Sequence, residues 1–267
     1  MRATAVRRTA LAACAASLAL LATACGGGSS DADGKDGKDG TATAGSSAPK
    51  APAKALSAAD LEKASLTEGD VKGHKVTKAG PDDEVPAEGV TVDKKECLPV
   101  AHAMYGIAQE GSVATTKRKV VSEPKTDGKK ALEDLTDGEA EDALKSAFDL
   151  TSTFVALTSY DKTAGPDAFA ALKKAAADCA GGFTATVAGA PTKVVSLAEE
   201  KVTGGDESAA WTVVSEDGGD SAPFKLVALR KEGTVATFFA FNLAAAGGGA
   251  KFAVPTEVVA AQDGKLA

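Results

Sequence analysis

The sequence predicts an α+β domain, a curved antiparallel sheet with helices on one face. Seven segments after residue 112 are rich in β-branched and aromatic residues, and Gly, Pro or Asp separates most of them. The last four of these segments follow one another closely, as in an antiparallel meander. Segments with helical signals precede and flank the strands, which is typical of α+β domains.

The first 24 residues have the three parts of an export signal. Three arginines within the first eight residues supply positive charge, and residues 10–24 form an apolar run. This run is shorter than the roughly 20 apolar residues that a transmembrane helix needs. We therefore predict a signal peptide over residues 1–24, directly before Cys25.

The residues before Cys25 resemble the lipobox of bacterial lipoproteins, in which a Leu and two small residues precede a Cys. Leu21 lies one residue further from Cys25 than in the family pattern. Cys14 matches the pattern letter by letter, but it follows Arg8 too closely to leave an apolar signal of sufficient length. The resemblance implies that acyl chains such as palmitate anchor Cys25 to the outer face of the cell membrane. The alternative is an ordinary secretory signal that is cut after Ala24 and leaves a free thiol.

Residues 25–55 are predicted to form the lipidated Cys and a disordered linker. They consist mainly of Gly, Ser, Ala, Pro, Asp and Lys, and hardly any side chain among them is large enough to build a core. A flexible chain of this length reaches roughly 30 Å. Residues 56–267 follow as a single extracytoplasmic domain, long enough for a substantial core.

The chain is acidic, with a formal charge of −7 that becomes more negative once a signal with three arginines is removed. An acidic surface beside an anionic membrane argues against nucleic acid and lipid headgroups as partners. The partners that we expect are the membrane, through the lipid anchor, and a small ligand or a neighbouring envelope protein.

Helices are predicted at about residues 57–66, 99–108, 166–180 and from residue 255. The third has the clearest signals, because Pro166 suits a helix start and Gly181 suits a helix stop. Phe169, Leu172 and Cys179 share one face of it, so we expect this face to point into the core.

Cys97 and Cys179 are the cysteines that follow Cys25. An even pair in an exported protein predicts one disulfide. Pro99 is placed to start the second helix, so the bridge is expected to tie two helices together.

Strands are predicted at residues 113–121, 150–160, 183–188, 193–203, 209–216, 223–232 and 234–243. Phe238 and Phe239 are consecutive on the last of them, so their side chains project to opposite faces of the sheet. One face is expected to be core. The other is a candidate ligand groove, unless the glycine-rich loop at 244–250 or the N-terminal segment covers it.

The order of these elements resembles the extracellular sensor domain of the actinobacterial PknH-type kinases and related lipoproteins. The resemblance rests on a Cys before a short helix, a Gly-Pro-Asp opening of a helix with a late Cys, and a meander closed by a C-terminal helix. It covers most of residues 56–267. It implies an α+β domain whose groove binds an unidentified ligand. Family members commonly have two disulfides, whereas this chain has one cysteine pair in the domain.

The sequence contains no recognisable catalytic or metal-binding motif. Its two histidines, His74 and His102, stand in no recurring metal spacing, and we expect His102 to be a packed or rim residue. GxSxG, P-loop and GxGxxG motifs do not occur, and the acidic stretches lack the spacing of a calcium loop. We therefore predict no metal, no cofactor and no enzymatic activity.

Together these features predict a lipid-anchored extracytoplasmic module that senses or binds a ligand. Such a module needs a folded domain, a groove and a flexible linker. One alternative is a lipid or lipoprotein carrier, which needs a large apolar cavity. A second alternative is a cell-wall-active enzyme, which needs a catalytic group of residues.

Overall fold

The structure, a computed structural model, describes residues 54–124, 136, 149–161, 163–246 and 252–266. All of these residues belong to one unit of the chain, Pro49–Ala267. The predicted signal segment 1–24, Cys25 and nearly all of the predicted linker lie outside the described residues.

The described residues form one sheet of nine strands. The strands are β1 (His74–Lys78), β2 (Val90–Val92), β3 (Ser112–Ser122), β4 (Thr151–Tyr160), β5 (Phe183–Val187), β6 (Ala190–Glu200), β7 (Glu207–Asp217), β8 (Asp220–Lys231) and β9 (Thr234–Asn242). Their spatial order is β1-β3-β4-β9-β8-β7-β6-β5-β2, and every neighbouring pair is antiparallel. The predicted meander corresponds to β6, β7, β8 and β9.

Two short strands at the edges of the sheet, β1 and β2, are not predicted from the sequence. β1 pairs with β3, and β2 pairs with β5. The two edge strands have five and three residues, which is too short for a clear alternation in the sequence. They contain β-branched residues, and they become strands by pairing with the longer strands β3 and β5.

Five α-helices belong to the described residues: α1 (Ala58–Ala64), α2 (Leu98–Met104), α3 (Ala164–Asp178), α4 (Leu243–Ala246) and α5 (Thr256–Lys265). Four of them are the predicted helices. The fifth, α4, begins where we expect a loop, and residues 247–250 of that loop lie outside the described range. No helix in the described part of the chain is long and apolar enough to cross a membrane.

Helices cover both faces of the sheet rather than the one face expected. The central strand β8 is apolar on both sides, since Leu226 and Ala228 belong to one core and Val227 and Leu229 to the other. Both faces must therefore be covered, because exposed apolar surface is unfavourable in water. α2 and α3 cover the first, which we call the disulfide face, and α1 and α5 cover the second, the terminal-helix face. The α+β class and the antiparallel sheet are confirmed.

Candidate ligand-binding site

Cys97 and Cys179, for which the sequence predicts a disulfide, form one in the structure. Their Cα atoms are 5.8 Å apart, and both residues are buried in the core of the disulfide face. Cys97 directly precedes α2 and Cys179 directly follows α3. Phe169 and Leu172 of α3 belong to the same core. The bridge therefore holds the beginning of α2 over the sheet.

The chain leaves α2 by a turn that approaches the sheet closely. Tyr105 ends the helix, and Gly106 follows with φ of +60°, a conformation that favours glycine. A Cβ atom on Gly106 would lie 2.8 Å from the Cβ of Ala156 in β4. A larger residue at either position would push the end of α2 away from the sheet.

A pocket of about 220 Å³ opens beside this turn. The end of α2, the segment 82–85 and the strands β3, β4 and β9 surround it. Most of the lining is apolar and comes from Val85, Ala103, Met104, Tyr105, Gly106, Phe154, Val155, Ala156 and Phe239. A concave, largely apolar site with a few polar groups is typical of small-molecule binding.

Two phenylalanines of the lining are held by rings outside it. Phe154 and Phe239 are directly paired across β4 and β9. Each ring nevertheless turns to a diagonal neighbour: Phe154 stacks on Phe241, and Phe239 stacks on Phe224. The ring centroids are 6.4 Å and 5.2 Å apart in these two pairs. Stacking of this kind limits the motion of the two lining rings.

Lys117 of β3 lines the pocket and is engaged on two sides. Its ammonium donates to the Glu84 carboxylate at 2.6 Å and to the Tyr105 carbonyl at 3.3 Å. The Lys117 side chain is only 14% exposed, so solvent screens its ion pair less than it screens a surface pair. Burial raises the pKa of the Tyr105 hydroxyl, which keeps this side chain neutral at physiological pH.

Two aspartates of the segment before β2 line the mouth of the pocket. Asp83 accepts a hydrogen bond from the Gly80 backbone at 2.9 Å and lies 3.5 Å from the Lys119 ammonium. Asp82 is exposed and has no hydrogen-bond or ion-pair partner among the described residues. The Asp82 carboxylate at the mouth therefore has no positively charged partner among the described residues.

The structure separates Phe238 and Phe239, the two residues predicted to line a groove. Phe239 is half-buried and lines the pocket. Phe238 is 0% exposed and lies in the core of the terminal-helix face. A ligand in the pocket can contact Phe239, whereas Phe238 is enclosed by other side chains and is not part of this site.

Neither histidine lines this pocket. The Nε2 atom of His102 on α2 is buried without a hydrogen-bond partner in the described structure, and burial lowers the pKa of this side chain. His74 lies in β1, with its Nδ1 atom 3.0 Å from the Lys72 carbonyl oxygen. Within the described ranges, no group of three or more His, Cys, Asp or Glu residues is placed to hold a metal ion.

Most of the residues that line the pocket could not be predicted from the sequence. Asp82, Lys117 and Phe154 come from separate segments and belong to no motif. The Tyr105–Gly106 pair is a signal that could have been used, because a glycine after a helical segment often marks its end. It points to the turn beside the pocket and not to the pocket itself.

A buried polar cluster on the terminal-helix face is also not predicted from the sequence. Lys225, which is 7% exposed, donates to Glu200 and, at 2.8 Å, to the Thr212 hydroxyl. Burial opposes ionisation of Glu200, but the hydrogen bonds from Lys225 and Thr212 hold its pKa below the ordinary value. The ring of Phe252 lies over Lys225, 5.6 Å from the ammonium. Because these polar groups satisfy one another, we regard the cluster as structural.

Comparisons with known proteins give a structural likeness and no sequence match. No family model matches the sequence, and no curated protein matches it. Among solved structures, the chain is similar to the extracellular domain of PknH from Mycobacterium tuberculosis. The sequence identity is 12%, the match covers 80% of this chain and 95% of that chain, and the TM-score is 0.46.

Proposed function

We propose that this protein is a lipid-anchored, sensor-like module outside the cytoplasm that binds a small ligand in the pocket of the disulfide face. The observation that carries the proposal is the apolar pocket beside Gly106. The pocket is concave, it contains few polar groups, and secondary structure surrounds it. The partner that we expect there is a small ligand or an apolar side chain of a neighbouring envelope protein.

The walls of the pocket are held from several sides, which favours binding. The disulfide holds the beginning of α2, and the close approach of Gly106 to Ala156 holds its end. Phe239 is held by the stacked ring of Phe224. A ligand therefore meets a site that needs little ordering, and less of the binding free energy is lost as conformational entropy.

The chemistry of the lining supports binding rather than catalysis. Histidine and cysteine do not occur among the described lining residues. Asp83 is engaged by Gly80 and Lys119, so Asp82 is the lining carboxylate that stays unengaged in the described structure. Acid–base catalysis needs a titratable group held within reach of the substrate, and an exposed, unsupported carboxylate is a weak candidate for that role.

Binding is tested with 1-octanol and a matched pair of variants. The chain from residue 25 with Cys25→Ser contains every described residue, and its melting temperature should rise with the logarithm of the 1-octanol concentration. Phe239→Ala removes a lining ring and should abolish this rise. Phe238→Ala removes a ring of the same kind from the terminal-helix face, outside the lining, and should retain it. Loss of the rise in both variants, or in neither, would contradict the assignment of the site.

The location and the anchor are supported by separate observations. The Cys97–Cys179 disulfide suits an oxidising compartment, because disulfides seldom persist in the cytosol. The arginines, the apolar run and the small residues before Cys25 support export and lipidation at that residue. Two or more acyl chains hold a protein at a membrane firmly, whereas a single chain binds only reversibly.

The anchor is tested by changing each of the two candidate cysteines in the native host. The native chain should incorporate labelled palmitate and sediment with membranes. Cys25→Ser should abolish the label and either release the protein or leave it as an unprocessed precursor. Cys14→Ser is the matched control and should be processed and retained. A mature, membrane-bound Cys25→Ser variant would rule out this anchor.

A further inference from the structure

We infer that the pocket selects its ligand by the charge of the polar group: it takes the apolar end of a small amphiphile whose head is cationic or neutral, and it disfavours an anionic head. This inference rests on the proposed function and specifies the ligand class of the same site. Three observations support it, namely the size of the pocket, the engagement of both lysines near it and the unpartnered carboxylate of Asp82.

The size of the pocket limits what can enter. Its volume is about 220 Å³, below the roughly 300 Å³ at which typical ligand pockets begin, so only a small group fits inside. The apolar side chains of Met104, Phe154 and Phe239 suit a hydrocarbon group of this size. The head of an amphiphile would then lie at the mouth, beside the charged residues.

The charges at the mouth are not balanced. Asp82, Asp83 and Glu84 supply three carboxylates, and Lys117 and Lys119 supply two ammonium groups. The lysines are engaged by Glu84 and Asp83, which leaves Asp82 without a partner among the described residues. A cationic head can pair with this carboxylate, whereas an anionic head is repelled by it.

Lys117 and Lys119 are the groups that could reverse this preference. Lys117 is held between the Glu84 carboxylate and the Tyr105 carbonyl, so an anionic head would have to displace one of them. The Lys119 ammonium lies between Asp83 and the face of the Phe154 ring, 5.3 Å from its centre. Neither lysine offers an ammonium free of a carboxylate.

Three probes with the same hydrocarbon tail test the inference: octylammonium chloride, 1-octanol and sodium octanoate. Each is titrated by calorimetry, at pH 7 and low ionic strength, into the chain from residue 25 with Cys25→Ser. Octylammonium should bind most tightly and octanoate most weakly, with about a tenfold difference between them at low salt. Added salt should reduce this difference and leave the affinity for 1-octanol nearly unchanged.

Two variants separate a local effect from one of overall charge. Asp82→Asn should bring the affinities for octylammonium and octanoate together while 1-octanol binds as before. Asp220→Asn makes the same charge change at an exposed residue outside the pocket and should preserve the native difference. Equal affinity for the three probes, or tightest binding of octanoate, would overturn the inference on the head group and leave the proposed binding site standing. Failure of all three to bind would overturn the site itself.

Discussion

The disulfide face and the terminal-helix face each bury apolar side chains under two helices, yet they hold those helices differently. On the disulfide face, the Cys97–Cys179 bridge joins α2 to α3. On the terminal-helix face, Gln262 of α5 reaches the end of α1: its side-chain amide donates to the Ala64 carbonyl at 2.7 Å and accepts from the Leu66 backbone at 3.3 Å. A covalent bond thus links the two helices of the disulfide face, whereas side-chain hydrogen bonds link those of the terminal-helix face.

Charged residues add to this contrast. Arg118 of β3 is 5% exposed; its Nε atom donates to the Leu66 carbonyl at 2.9 Å, and its Nη2 atom lies 2.8 Å from the Glu62 carboxylate. Several bonds along α1 therefore draw this helix onto the sheet. On the disulfide face, α2 is also packed along its length, since Val100, Ala101 and Met104 are buried, and the pocket lies beside its last residues. The difference between the two faces therefore lies in the kind of bond that holds their helices.

Removal of the disulfide should have the largest effect on stability. In the chain-entropy model, a bridge that spans 82 residues stabilises the fold by about 4.5 kcal/mol. In a urea titration, the free energy of unfolding of the double variant Cys97→Ala, Cys179→Ala should be lower than that of the native chain by most of this amount. Amide exchange should accelerate in α2 and α3 more than in α1 and α5. Equal acceleration in all four helices would show that the two faces are not held independently.

Substitutions at the adjacent residues Phe238 and Phe239 allow a direct comparison of the terminal-helix face with the disulfide face. Phe238→Ala should lower the free energy of unfolding by about 4 kcal/mol, because it leaves a cavity in a packed core. Phe239→Ala should cost about half as much, because its ring is half-buried beside the pocket. Denaturant titration of the two variants under the same conditions measures the difference. Equal losses would mean that the pocket side of Phe239 is as closely packed as the core.

The ion pairs of α1 should make the terminal-helix face sensitive to acid. Hydrogen bonds from Lys78, Thr116 and Arg118 lower the pKa of Glu62 from 4.5 to about 2. A carboxylate whose folded pKa is depressed stabilises the fold above its unfolded pKa, and this stabilisation is lost as the pH falls from 4.5 towards 2. Glu62→Gln should remove about 1 kcal/mol at neutral pH, a modest effect because solvent reaches the pair.

Unfolding free energies of the native chain and Glu62→Gln, measured between pH 7 and pH 2.5, isolate this contribution. The difference between the two proteins should shrink as the pH falls through this window. Glu88→Gln makes the same change at an exposed residue outside the network and is the control. A difference that stays constant with pH would contradict the role of the Glu62 charge.

An effect of similar size and opposite sign, a gain in stability, is expected on the disulfide face. The Nε2 atom of His102 is buried without a partner in the described structure, so His102→Leu should stabilise the fold by about 1 kcal/mol. Burial lowers the pKa of His102 in the folded protein. The imidazole is therefore protonated more readily in the unfolded chain, and the free energy of unfolding falls as the pH drops below about 6.5. The variant should lack that part of the pH dependence in thermal unfolding. His102→Gln keeps a polar group in place, and a similar gain from it would assign the effect to another cause.

The long elements of the fold are predictable because their signals are local. Strands β3 to β9 alternate or concentrate β-branched and aromatic residues between turn residues, and α3 has a helix start, an apolar face and a stop. The edge strands β1 and β2 escape prediction because they have only five and three residues, too few to show a period. The predicted helix 166–180 lies within two residues of the observed ends of α3, Ala164 and Asp178.

The sequence by itself determined the α+β class, the meander, the pairing of two cysteines in the domain and the opposite directions of Phe238 and Phe239, because periodicity and composition act over a few residues. It did not determine which of those two rings would be enclosed. Which ring is enclosed depends on the face against which α1 and α5 pack. A strand with apolar residues on both sides allows these helices to cover either face. The pocket likewise exists only in the tertiary structure, because Asp82, Gly106 and Phe239 meet through the packing of α2 against strands distant in sequence.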